Sequence, residues 1–164
     1  MVQATELTDD RLILAALGSL PGIGSVTISE ALKRYGTPIE LWQTVQKDKA
    51  VDDTLQVKKQ YKSALVKGIL TMDLGKLEHD LNNYHIQVVG FHDEAYPEEL
   101  REIFNPPQVL FYRGNLKTFK NPRKIAMVGA RNCTPYGRNV ATVFAAELAR
   151  YGIAVVSGGA RGID

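Results

Sequence analysis

The chain has 164 residues, 45% hydrophobic and 23% charged, with a formal net charge of +2. Such proportions are ordinary for a globular chain with a core. No apolar run approaches the roughly 20 residues of a membrane helix, no basic-flanked leader opens the chain, and the single cysteine, Cys133, has no intrachain partner, which together point to the cytoplasm and away from membranes.

In chain order, Thr8 stands as a cap before Asp9 and Asp10 and the apolar spacing Leu12, Ile13, Ala16 and Leu17, so a first helix is predicted to end near Gly18. After Leu20-Pro21-Gly22-Ile23-Gly24 a second helix is predicted over about 25–35, closed by Gly36. Thr37-Pro38-Ile39-Glu40 is a capping box with proline at the first helical position, ahead of Leu41, Trp42 and Val45. Weaker helical patterns follow over about 53–67 and 71–84. The first 84 residues thus read as a small helical domain.

At Ile86 the period changes. Ile86, Val88, Val89 and Phe91 suit a strand, as do Val109-Leu110-Phe111-Tyr112, and Tyr96-Pro97 and Pro106-Pro107 break any long helix between them. Two further apolar runs, Ile125–Val128 and Ile153–Val156, each end in a turn bearing Gly and Arg. The helix between them is predicted to start at Thr134-Pro135, to bury Val140, Val143, Phe144, Leu148 and Tyr151, and to stop at Gly152. This is one βαβ unit with parallel strands. Both turns then lie on one edge of the sheet, the edge at which open α/β sheets take ligands.

Charge is uneven along the chain. Acidic and basic residues nearly balance up to Gly90, but from Asn115 to Gly162 eight Lys or Arg stand against Glu147 alone. A segment so basic is an electrostatic footprint for phosphates. Gly129, Gly158 and Gly159 allow main-chain amides to approach an anion, Ser157 offers a hydroxyl, and Arg131 and Arg161 can each fork onto phosphate oxygens. The same glycines also suit plain turn geometry, with the arginines paired to carboxylates such as Asp164. Gly22 and Gly24 carry a similar choice. Helix, turn, helix resembles a helix-hairpin-helix unit, whose glycine amides meet a phosphate, and it equally describes a tight corner between helices. A dinucleotide site is disfavoured, since the first turn is not G-x-G-x-x-G and no acidic residue closes the second strand. A Walker-type ATPase is disfavoured by the lack of its phosphate loop. His79, His85 and His92 lack metal-ligand spacing, so neither metal nor cofactor is expected.

Asp93-x-x-Tyr96-Pro97-x-x-Leu100, Pro106-Pro107, Leu110–Gly114, Val128-Gly129-Ala130-Arg131, Tyr136-Gly137 and Ser157–Asp164 resemble the DNA processing protein A family, DprA or Smf. The resemblance runs from about Phe91 to the last residue. It implies an α/β chain (α+β overall): a helical, sterile-alpha-motif-like or helix-hairpin-helix domain over residues 1–84, then an extended Rossmann-like domain from residue 85, incomplete at 164. The resemblance also implies a non-catalytic binder of single-stranded DNA in natural transformation, partnered by itself as a homodimer and by a RecA-type recombinase. Arg131 matches the family's phosphate-contacting arginine. Arg161 falls at a variable position of the second motif.

Since family members continue with further strands, the sequence reads as a fragment, whose helical domain is expected to fold alone and whose Lys124–Asp164 segment is expected to be marginal by itself. Two other functions stand beside this one. A phosphoribohydrolase-like enzyme would share the glycine-rich turn after a strand, but its P-G-G-x-G-T-x-x-E segment is absent. A protein-interaction scaffold would use the helical domain alone.

Overall fold

The structure, a computed structural model, describes residues 9–164, so the Thr8 cap lies outside the described residues. The chain is α/β and divides into two compact units, one running to Gly114 and the other from Asn115 to Asp164.

Among the described residues, the first unit begins with five helices. α1 (Asp9–Ser19) has Asp9 and Asp10 at its positive end, and the Asp10 carboxylate also accepts the Ile39 N–H at 3.2 Å. α2 (Ser25–Tyr35) closes at Gly36, whose φ of +93° only glycine adopts readily. α3 (Pro38–Asp48) starts with the expected capping box: the Glu40 N–H donates to Thr37 Oγ1 at 3.2 Å, and Glu40 Oε2 accepts the Thr37 N–H at 2.8 Å. α4 (Lys59–Thr71) and α5 (Leu74–Asn83) follow, the latter capped by Asp73.

α4 begins later than its pattern suggests. Asp52 takes the N–H and the hydroxyl of Thr54, each at 2.8 Å, and so turns the chain where a helix is expected. That turn drops Leu55 into the core at 3% exposure. Leu17, Leu41, Val45, Leu65 and Ile69 form the core's centre and are essentially inaccessible. Burial of each stabilises the unit by about 1.5–3 kcal/mol.

β1 (Gln87–Gly90) and β2 (Val109–Tyr112) complete this unit as an antiparallel pair, Gln87 opposite Tyr112 and Gly90 opposite Val109. Val88 packs with Ala15 of α1 and Leu81 of α5. At Gly18 a Cβ would lie 2.2 Å from Val109 Cγ1, so the hairpin sits directly on the helix backbone. The hydrophobic period therefore changes at Ile86, while the packing boundary falls after Gly114.

Between these strands lies α6 (Glu98–Arg101). Arg101 donates to the Asp93 carbonyl at 2.6 Å, and its guanidinium lies 5.4 Å from the Phe91 ring centre and 5.2 Å from that of Tyr96. The Tyr96 hydroxyl donates to the Pro107 carbonyl at 2.8 Å, and burial pushes its phenol pKa up. The D-x-x-Y-P segment and the double proline are thus tied to each other through side chains.

The second unit begins with a 3-10 turn, Leu116–Lys120. β3 (Lys124–Ala126), α7 (Pro135–Arg150) and β4 (Ala154–Val156) form the βαβ unit, with Lys124 beside Ala154 and Ala126 beside Val156 in parallel. The apolar stripe expected to be buried on α7 is not buried. Val143, Phe144 and Tyr151 are 57%, 61% and 72% exposed, and Val140 and Leu148 are half-buried. A sheet of two three-residue strands is narrower than the face of a 16-residue helix and cannot cover it.

Candidate nucleic-acid interface

The ends of β3 and β4 deliver two turns to one edge of the small sheet. Pairing continues one residue past β3, where the Met127 N–H donates to the Val156 carbonyl at 2.8 Å. The first turn then runs to Thr134, whose hydroxyl accepts the Gly137 N–H at 3.1 Å and starts α7. The second turn folds back over the first. The Ile163 N–H reaches the Ala130 carbonyl at 3.3 Å, and the Ile163 side chain covers Gly129, where a Cβ would come within 2.7 Å of it.

Gly162 makes the tightest approach. Its φ is +108°, and a Cβ there would meet the Ala130 oxygen at 2.2 Å and the Arg131 Cα at 2.7 Å. The two turns therefore touch main chain to main chain at Arg131 and at the residue after Arg161. Both arginines are exposed, and neither enters an ion pair among the described residues. Glu147, the sole acidic residue between Asn115 and Gly162, pairs with Arg150. With Arg131 and Arg161 set against the single carboxylate of Asp164, this edge carries a net positive charge.

The glycine amides and Ser157 behave differently from the sequence expectation of an open anion cradle. The Gly129 N–H donates to Asp164 Oδ1 at 3.0 Å. Ser157 Oγ donates to the Asp164 main-chain oxygen at 2.7 Å and accepts the Gly159 N–H at 3.1 Å. Gly158 faces the other carboxylate oxygen, 3.1 Å from where its Cβ would stand. Asp164 is thus bound to the turn backbone rather than to an arginine, and it leaves both guanidinium groups available.

The remaining candidates, Gly22 and Gly24, lie in the first unit. Leu20 and Ile23 of that turn are buried, while Gly22, at φ +75°, and Gly24 are exposed with no neighbouring atoms within 4 Å of a Cβ. The turn needs Gly22 for its backbone angle, and both amide-bearing residues face open space. Among the described residues no three His, Cys, Asp or Glu side chains are grouped as metal ligands, and no helix is long and apolar enough to cross a membrane.

Sequence reasoning missed a cleft of about 980 Å³ within the first unit, beside Val26, Pro38, Phe91 and Gln108. The Arg11–Asp93 pair, at 3.2 Å, and the Glu30–Lys33 pair, at 2.7 Å, lie along it with their charges mutually compensated. Its lining comes from segments far apart in the chain, and no local motif marks it.

Comparison with known proteins bears on both units. The family profile described as DNA recombination-mediator protein A matches residues 87–164. DNA processing protein DprA of Bacillus subtilis is 37% identical over 108 residues, covering 64% of this chain. Residues 87–164 match the DprA/Smf family. The DprA of Streptococcus pneumoniae is 42% identical over 72 residues, 44% of this chain and 25% of that protein. An X-ray structure of DNA processing protein A from Streptococcus pneumoniae matches 98% of this chain and 52% of its own, with a TM-score of 0.62 at 22% identity, which is a likeness of fold. The chain spans only 36% of the Bacillus DprA and about half of the solved DprA chain.

Proposed function

We propose that this chain binds single-stranded DNA through the paired turns of the second unit, without catalysis, in DNA recombination and transformation of the DprA type. The observation that carries the reading is the main-chain contact of Gly162 with Arg131. It brings the neighbourhoods of Arg131 and Arg161 together on the ligand-prone edge of a parallel sheet. Two forked cations on a positive surface suit a run of phosphates, and phosphate contacts carry no sequence preference. The family match over residues 87–164 supports the same reading, since the profile is that of a recombination mediator. In this reading residues 85–164 serve DNA, residues 1–84 are a helical module in which Gly22 and Gly24 add a backbone contact, and a RecA-type recombinase and a second copy of the chain are the protein partners.

The test is fluorescence anisotropy of labelled oligo-dT over a salt series, with the chain and its Arg131→Ala variant. Affinity should fall as salt rises. The substitution should weaken binding about tenfold, the scale of one charge-assisted hydrogen bond. It should also reduce the slope of log affinity against log salt by about 0.7, one single-strand phosphate. Binding that ignores both salt and the substitution would refute the reading.

A further inference from the structure

We infer that Asp164 is a positioning residue of the DNA-contacting edge, and that its carboxylate already occupies the Gly129 amide that a phosphate would otherwise reach. The inference rests on the proposed function and assigns that edge an internal anion. Asp164 Oδ1 accepts the Gly129 N–H at 3.0 Å, and its main-chain oxygen accepts the Ser157 hydroxyl at 2.7 Å. One residue therefore ties the first turn to the start of the second. Ser157 passes the restraint on by accepting the Gly159 N–H at 3.1 Å, and Ile163 adds a bond to the Ala130 carbonyl. These bonds lie just before Arg131 on the first turn and on both sides of Arg161 on the second.

Two consequences have opposite signs. As a hydrogen-bond acceptor, the Asp164 side chain holds the turns in register and favours DNA binding. As a negative charge beside incoming phosphates, it opposes binding. The amide isostere separates the two, because asparagine keeps an oxygen for the Gly129 N–H and loses the charge.

Oligo-dT anisotropy on the full chain therefore reads Asp164→Asn against Asp164→Ala. Asp164→Asn should bind about fivefold tighter at low salt, the factor that one like charge costs near a phosphate at a surface, with the gain shrinking as salt rises. Asp164→Ala should bind more weakly than Asp164→Asn by about tenfold, with the turn bond gone. A purely structural residue would not give the tighter binding of the asparagine variant. Equal affinities for the two variants, or an asparagine variant no tighter than the parent, would overturn the inference. Arg131→Ala in the same series separates the two levels. If it weakens binding while Asp164→Asn matches the parent, the DNA site stands and Asp164 has no such role. If Arg131→Ala has no effect, both fall together.

Discussion

Gly162→Ala should open the contact between the two turns. At φ +108° an L-residue is strained by about 1–3 kcal/mol before any overlap is counted. The new Cβ would stand 2.2 Å from the Ala130 oxygen and 2.7 Å from both the Cα and the carbonyl oxygen of Arg131. All three are main-chain atoms, which no rotamer change can clear, so the turns must separate by about 1 Å to reach ordinary contact. Strain and separation together should cost about 3 kcal/mol locally. Gly159→Ala supplies the control. Its φ of +64° lies in the left-handed region and a Cβ there meets nothing within 4 Å, so about 1 kcal/mol is expected. Amide hydrogen exchange at Ile163, Met127 and Ala154 reads the difference, since their bonds hold the turns and strands together. Exchange at Ile163 should rise about a hundredfold for Gly162→Ala and about fivefold for Gly159→Ala. Equal losses of protection in the two variants would refute the reasoning, because the close approach at Gly162 would then count for nothing.

Arg101→Ala should lower the urea midpoint of the first unit, followed by Trp42 fluorescence, by the equivalent of about 2–3 kcal/mol. It removes the 2.6 Å bond to the Asp93 carbonyl and the guanidinium packed on Phe91 and Tyr96. Arg101→Lys should recover less than half of that, since an ammonium lacks the planar fork. Asp52 gives a pH test. The Thr54 main-chain N–H first, then the Thr54 hydroxyl and Arg34, hold its carboxyl down to about 2. A carboxyl depressed in the folded state contributes stability fully above its unfolded value of about 3.9, and that contribution fades as pH falls through the folded value. Asp52→Asn should flatten the urea midpoint's dependence on pH between about 4 and about 2, and an unchanged slope would count against this role.

Local signals fixed what local bonds determine. Thr37-Pro38-x-Glu40 and Gly36 mark the start of α3 and the end of α2 because capping bonds span only a few residues. The adjacency of the two Gly-Arg turns was also legible, since a βαβ unit leaves them no other edge. Bonds between distant residues were not. The acceptor for the Gly129 N–H lies 35 residues away, and nothing near Gly129 announces it. The α4 start misleads for a related reason: Asp52 diverts the backbone with a side chain whose choice between turn and helix the apolar period does not encode. The stripe on α7 has a true helical period, but period says only which residues share a face. Whether that face is covered depends on the width of the sheet beneath it.

The small residues of α1 carry a different kind of consequence. Ala16 and Leu17 belong to the helical core, Ala15 meets Leu81 and Val88, and Gly18 lies under Val109. The helix is clasped from two sides, with no room for a larger side chain at Gly18. Helices and hairpin are therefore a poor place for shuffling between relatives. A chimera joined at the change from helical to strand period would pair one parent's α1 with the other parent's hairpin and misfit at Gly18 and Val109. A junction placed after Gly114 would inherit both halves of that contact from the same ancestor.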